Sequence, residues 1–149
     1  MFMVQGSELD RLVAVGQLQV VEPNEVHAKI LIRQATLHLT ASESLLSIDG
    51  VGAYSLLYEA ARKALTALLV DHGFRPTRTG GHRVIPIACA DLATSELKPL
   101  LNAFDRMRKS RNELAYPPSE YLDPDPQDVI DDLRKARAIV DECALLVSE

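Results

Sequence analysis

The residues best equipped for chemistry in this chain fall in one run, Arg108-Lys109-Ser110-Arg111-Asn112-Glu113-Leu114-Ala115-Tyr116-Pro117. Just before it, Leu97, Leu100, Leu101, Phe104 and Met107 recur at i, i+3, i+4 and i+7, the spacing of an amphipathic helix. Continued at about 3.6 residues per turn, that helix projects Arg108 and Arg111 from the middle of its own apolar stripe. A guanidinium keeps its charge at any physiological pH and offers a planar fork of donors. Where it leaves water it needs anionic or carbonyl partners. Either a carboxylate of the fold meets it, with Glu59, Asp105 and Glu113 as candidates for Arg111, or an anionic ligand does.

Helical periods dominate the elements that must position these residues, and no convincing alternating strand is present. A short first helix runs from Ser7, its N-cap, to about Val15. The second starts near Pro23-Asn24-Glu25 and runs to about Leu45; Asn24 suits a cap and Glu25 suits the positive end of the helix dipole. In the third, Tyr54, Leu57, Tyr58, Ala61, Ala64, Leu65, Leu68 and Leu69 form one stripe that Gly73 closes at C′. A polar loop, Phe74 to Gly81, leads to a short helix from about His82 to Leu92. The fifth helix starts near Ser95, accepts Pro99 early, reaches Tyr116 and stops at Pro117-Pro118. After an acidic link, Ser119 to Pro126, the last helix repeats Val129, Leu133, Ala136, Val140, Cys143 and Val147. The expected architecture is all-α: an antiparallel bundle of four to five main helices over residues 23–149, preceded by an N-terminal helix and linker over residues 1–22.

Composition narrows the classes. The chain has 149 residues, 47% of them hydrophobic and 25% charged, as expected of one globular domain. No apolar run approaches the roughly 20 residues of a membrane span, and residues 1–6 do not read as a signal peptide. Two cysteines, Cys89 and Cys143, without a CxxC spacing, argue against a zinc site or a disulfide framework and fit a reducing cytoplasm. His27 and His38 stand roughly 16 Å apart along a helix, too far to share a metal. GxSxG, P-loop, HExxH and GxGxxG patterns are absent, which removes common enzyme classes, and no cofactor is expected. The net charge of −5 hides an asymmetry. Residues 62–83 hold Arg62, Lys63, Arg75, Arg78 and Arg83 against Asp71, with His72 and His82; residues 98–111 hold five bases against Asp105. Such segments either neutralise the seven acids of residues 113–132 or present a basic patch to phosphate.

Four segments, in order, resemble the HEPN family: Ala53-Tyr54-Ser55-Leu56-Leu57-Tyr58-Glu59-Ala60-Ala61-Arg62-Lys63-Ala64-Leu65, then Gly73-Phe74-Arg75-Pro76, then Gly81-His82-Arg83, then Arg111-Asn112. The resemblance spans about Glu25 to Val147. It implies a helical bundle, usually a homodimer. Many such proteins are metal-independent endoribonucleases of toxin–antitoxin or defence systems, paired with a nucleotidyltransferase-type protein. On that pattern Arg111 takes the place of the motif arginine, Asn112 the polar residue after it, and Tyr116 the histidine, while Pro118 stands where a tyrosine is usual.

Cleavage of RNA by its 2′-hydroxyl needs a proton acceptor, a proton donor and a cation at the phosphate. Arginine supplies the cation; histidine exchanges protons near neutrality; tyrosine, at a pKa of about 10, donates a hydrogen bond or stacks on a base. The candidate catalytic residues are thus Arg111, Asn112 and Tyr116. Arg75, Arg78, His82, Arg83 and Arg108 are the candidate nucleic-acid contacts. Two functions stay open: a metal-independent endoribonuclease, or a non-catalytic module that binds RNA, a nucleotide or a protein partner.

Overall fold

The structure, a computed structural model, describes residues 7–117 and 123–148. Its elements are α1 (Glu8–Ala14), β1 (Leu18–Val20), α2 (Glu25–Leu45), α3 (Gly50–Asp71), β2 (Phe74–Pro76), a 3-10 turn (Gly81–Arg83), α4 (Val84–Cys89), α5 (Lys98–Ala115) and α6 (Pro126–Ser148). The all-α expectation holds for the architecture. The caps expected for the first two helices are in place: Ser7 accepts from the Asp10 amide and Asn24 from the His27 amide.

α3 is the axis of the bundle. It packs against α2, α4, α5, α6 and β2. Its sequence explains why: apolar residues surround it on most sides, so it must be covered on most sides. Ala53, Ala60, Ala61, Ala64 and Ala67 are all fully buried and let neighbouring helices approach closely. The short α2–α3 turn makes those helices antiparallel, and the buried Ser42 hydroxyl bonds the Ala53 carbonyl across them at 2.6 Å. Tyr58 stacks on Phe104 of α5, and the Tyr54 hydroxyl donates to Asp132 of α6 at 2.7 Å. Cys89 and Cys143 are buried free thiols, and burial raises the pKa of both.

A small antiparallel ladder corrects the expectation that no strand is present. Leu18 pairs with Pro76, Gln19 with Arg75 and Val20 with Phe74. Three residues per strand are too few to show a period of two. Two glycines follow from this ladder. Gly73 sits at φ +85°, and a Cβ there would lie 2.8 Å from the Val21 carbonyl oxygen; a Cβ on Gly80 would lie 2.4 Å from that of Gln17. The fourth helix is also shorter than expected: Gly81 at φ +59° opens a 3-10 turn, so the helix starts at Val84 rather than about His82, and it ends at Cys89 rather than Leu92. The fifth begins at Lys98 rather than near Ser95, with Pro99 pre-set in its first turn. The link expected at Ser119–Pro126 lies partly outside the described residues, as does Pro118.

Leu9, Leu12 and Leu18 join the same apolar core as α3 and α5. Leu12 is fully buried. Leu12→Ala is therefore expected to lower stability by about 2–5 kcal/mol in chemical denaturation. A loss below about 0.5 kcal/mol, the scale of a surface change, would show that residues 1–22 are a separate appendage.

Candidate functional site

Three elements meet around one phenol. From α3 come Tyr58, Glu59 and Arg62; Tyr58 and Arg62 stand one turn apart and so share a face. From α5 come Phe104, Arg108 and Arg111, on one face at i, i+4 and i+7. From the turn after Gly80-Gly81 comes His82. The Tyr58 ring is fully buried. It lies 5.2 Å from the Phe104 ring, centroid to centroid, at an interplanar angle of 14°. The Arg111 guanidinium carbon lies 5.7 Å from the centre of the Tyr58 ring, within cation–π range. The Tyr58 hydroxyl meets His82 Nδ1 at 2.8 Å.

The charges are unequally satisfied. Arg62 holds Glu59 through two hydrogen bonds of 2.8 Å, a bidentate pair. Asp105 is shared by Arg108 at 3.1 Å and Lys109 at 3.4 Å. Those two carboxylates, both candidates for Arg111, are thus taken. Among the described residues Arg111 makes no ion pair; its one side-chain hydrogen bond, at 3.4 Å, goes to the amide oxygen of Asn112. A partly buried cation rests on a ring face with its fork open.

His82 registers this surplus. Burial is the main cause that lowers its pKa below 6.5, followed by Arg62; Glu59 pulls it back, and Arg111 and Arg108 lower it further. Burial raises Tyr58 to about 12 against the opposing pull of Arg62 and Arg111. Tyr58 is therefore a neutral phenol, and His82 a neutral imidazole at pH 7.

Two hollows flank the turn that carries His82. One, of about 360 Å³, is lined by Arg62, Thr66, Arg75, Arg78, His82 and Ile85. The other, of about 640 Å³, has Arg83, Lys98, Arg108 and Lys109 over an apolar floor that includes Ile87 and Leu101. All five candidate nucleic-acid contacts line these two hollows. Arg75 also bonds Gln19 across the β ladder at 2.5 Å. Asn112 is exposed, and Tyr116 is 81% exposed at the end of α5, lining neither hollow. Tyr58, Arg62 and Phe104 are the members that sequence reasoning missed as site residues. The usable signal was the hydroxyl of Tyr58, since a buried phenol must find a polar partner.

With this geometry in view, one comparison is decisive: the family model described as HEPN domain matches residues 28–146. The chain belongs to the HEPN family. No curated protein and no solved structure matches it. The arginine that the sequence pattern singled out in this HEPN domain, Arg111, lies in the cationic cluster just described.

The lowered pKa of His82 has a measurable consequence. Folding disfavours its proton, so its contribution to stability is present above pH 6.5 and is lost as pH falls through the lower, folded value. By NMR titration the His82 ring should change charge below pH 6.5, and Arg111→Gln should move that midpoint upward. A midpoint above 6.5 would contradict the cationic surroundings described here.

Proposed function

We propose that this HEPN domain engages RNA through its backbone phosphates at the Tyr58–His82–Arg111 cluster and acts as a metal-independent endoribonuclease. One observation carries the reading: Arg111 is held in place by a ring and an amide, while among the described residues no carboxylate neutralises it. An internal salt bridge would have closed its fork. An open, positioned fork matches two phosphate oxygens. Arg62, Arg75 and Arg78 on one side, and Arg83, Lys98 and Arg108 on the other, give the strand a cationic track. So many cations repel a divalent metal, so charge stabilisation in this reading comes from arginine.

A second reading has its own support. Tyr116, at the position of the family's histidine, is exposed and makes no side-chain hydrogen bond among the described residues. A module that binds RNA or a nucleotide without cleaving it has no need of a base there. Cleavage assays in EDTA separate the two readings: binding without cleavage selects the second.

The assembly belongs to the same proposal. We infer a homodimer, because α2 exposes Val26, Ile30 and Leu37 on one face, with Ile48 just beyond its end. Two antiparallel copies centred on Leu37 place Val26 opposite Ile48. A nucleotidyltransferase-type partner in a toxin–antitoxin pair, and the cytoplasm as compartment, complete the reading. Among the described residues no helix is long and apolar enough to cross a membrane.

Two measurements test this. RNA affinity should fall steeply with salt, at about −0.7 in log–log slope per phosphate neutralised on a single strand. Arg111→Ala should weaken binding about tenfold, one charge-assisted contact, with an unchanged melting temperature, since it strands no buried carboxylate. Affinity indifferent to salt would remove the phosphate track. Light scattering should report twice the chain mass of 16.4 kDa, and Leu37→Glu should return the monomer. A monomer for the unaltered chain would remove the dimer.

A further inference from the structure

The RNA-cleaving reading lacks a base at Tyr116, since a phenol is a poor proton acceptor near neutrality. The chain has four histidines. His27 is exposed near the start of α2, His38 meets Lys63 Nζ at 2.9 Å, and His72 bonds the Leu68 carbonyl at 3.0 Å as the cap of α3. Of the four, His82 is the one that joins Tyr58 and Arg111, which makes no ion pair among the described residues.

We propose that His82 is the proton acceptor of this site: Nε2 takes the 2′-hydroxyl proton of RNA, Tyr58 fixes the ring at Nδ1, and Arg111 holds the phosphate. This rests on the RNA-cleaving reading above. In the reactive tautomer Nδ1–H donates to the Tyr58 oxygen, and Nε2, which has no other partner among the described residues, carries the lone pair. His82 lines the open hollow with Arg62, Arg75 and Arg78 and keeps solvent access. In the step, the 2′-oxygen loses its proton to Nε2 and bonds to the adjacent phosphorus. The bond from phosphorus to the 5′-oxygen breaks, that oxygen takes a proton from water, and the proton on Nε2 passes to the hydroxide so formed, which restores the neutral imidazole. The products are a 2′,3′-cyclic phosphate and a 5′-hydroxyl, with no metal, oxidant or other co-reactant consumed.

Tyr58 is a positioning residue here. Its ring is locked by Phe104, so its hydroxyl offers His82 a fixed partner. The groups that face His82 set its working range. Arg62 and Glu59 from α3, Arg108 and Arg111 from α5, and Arg75 and Arg78 in the shared hollow sum to a positive field. Burial first, and then Arg62, Arg111 and Arg108 against Glu59, keep the imidazole neutral, the form a base requires, down to pH values below 6.5.

The test uses the full chain and an end-labelled single-stranded RNA in EDTA, with binding and cleavage measured separately. The unaltered protein should release 2′,3′-cyclic phosphate ends, with a rate that rises with pH through a midpoint below 6.5. His82→Ala should cut the rate by about 100-fold or more, the usual share of a general base, while RNA affinity stays within about threefold. Added imidazole should restore part of that rate. His82→Gln, which keeps a polar side chain, should be as slow as the alanine variant. Tyr58→Phe keeps the stack on Phe104 and should lower kcat with KM unchanged. His82→Ala cleaving at the unaltered rate, while Arg111→Ala is inert, would overturn the role of His82 and leave the endoribonuclease reading standing. A loss of binding equal to the loss of rate would make His82 a binding residue only. RNA bound but never cut by the unaltered protein would remove both the base and the nuclease reading.

Discussion

The fold's central helix buries a hydroxyl whose hydrogen-bond partner lies outside α3, and the site follows from that constraint. Tyr58 is wholly buried, yet a phenol oxygen left alone in an apolar core costs about 1–3 kcal/mol. The hydrogen bond to His82 answers the constraint and fixes the turn at Gly81–Arg83 against α3. The ring itself meets Phe104 and Arg111 of α5. One side chain therefore sets the mutual placement of three elements. It also decides which residues can share a ligand.

Electrostatics separates the cations by what they touch. Arg62 and Arg108 each have a carboxylate of their own helix, at i,i+3 spacing, so local geometry alone satisfies them. Such pairs organise side chains more than they stabilise the fold, since both remain partly in water. Arg111 differs. Its position on α5 points it at the Tyr58 face, where attraction to the ring costs it no donor. A guanidinium stacked in this way keeps its hydrogen-bonding edge for another molecule. The lowered His82 and the phenol raised by burial record the same environment from two sides.

Most of the fold was legible because most of its information is local. The stripe on α3, the Asn24 cap and the break at Gly73 each depend on neighbours within a turn or two, and each is found where the pattern put it. Arg111 stood out for the same reason, as a charge in an apolar row. Residues close only through the tertiary fold were not legible. The hydrogen bond from Tyr58 to His82 spans 24 positions, and nothing in either local sequence signals the other. Tyr116 was singled out differently, by the family resemblance that sets it at the histidine position; α5 ends at Ala115 and the ring is exposed. The ladder of β1 and β2 escaped detection because three residues carry no period.

That ladder has a further consequence for the site. The family match begins at residue 28, whereas α1 and β1 lie before it. The loop that delivers His82 nevertheless leans on them. The Thr77 amide donates to the Gln17 carbonyl at 3.2 Å, and the Thr77 hydroxyl to the Gly16 carbonyl at 2.6 Å. Gly80 passes so close to Gln17 that only a hydrogen fits where a Cβ would be. Leu12 and Leu18 anchor those acceptors in the core. The imidazole is thus held from two directions, at its ring by Tyr58 and through its backbone by the N-terminal segment. For the proposed base such support matters, because proton transfer tolerates little misplacement. The segment outside the family match therefore shares the apolar core of the matched region and braces the loop that leads to His82.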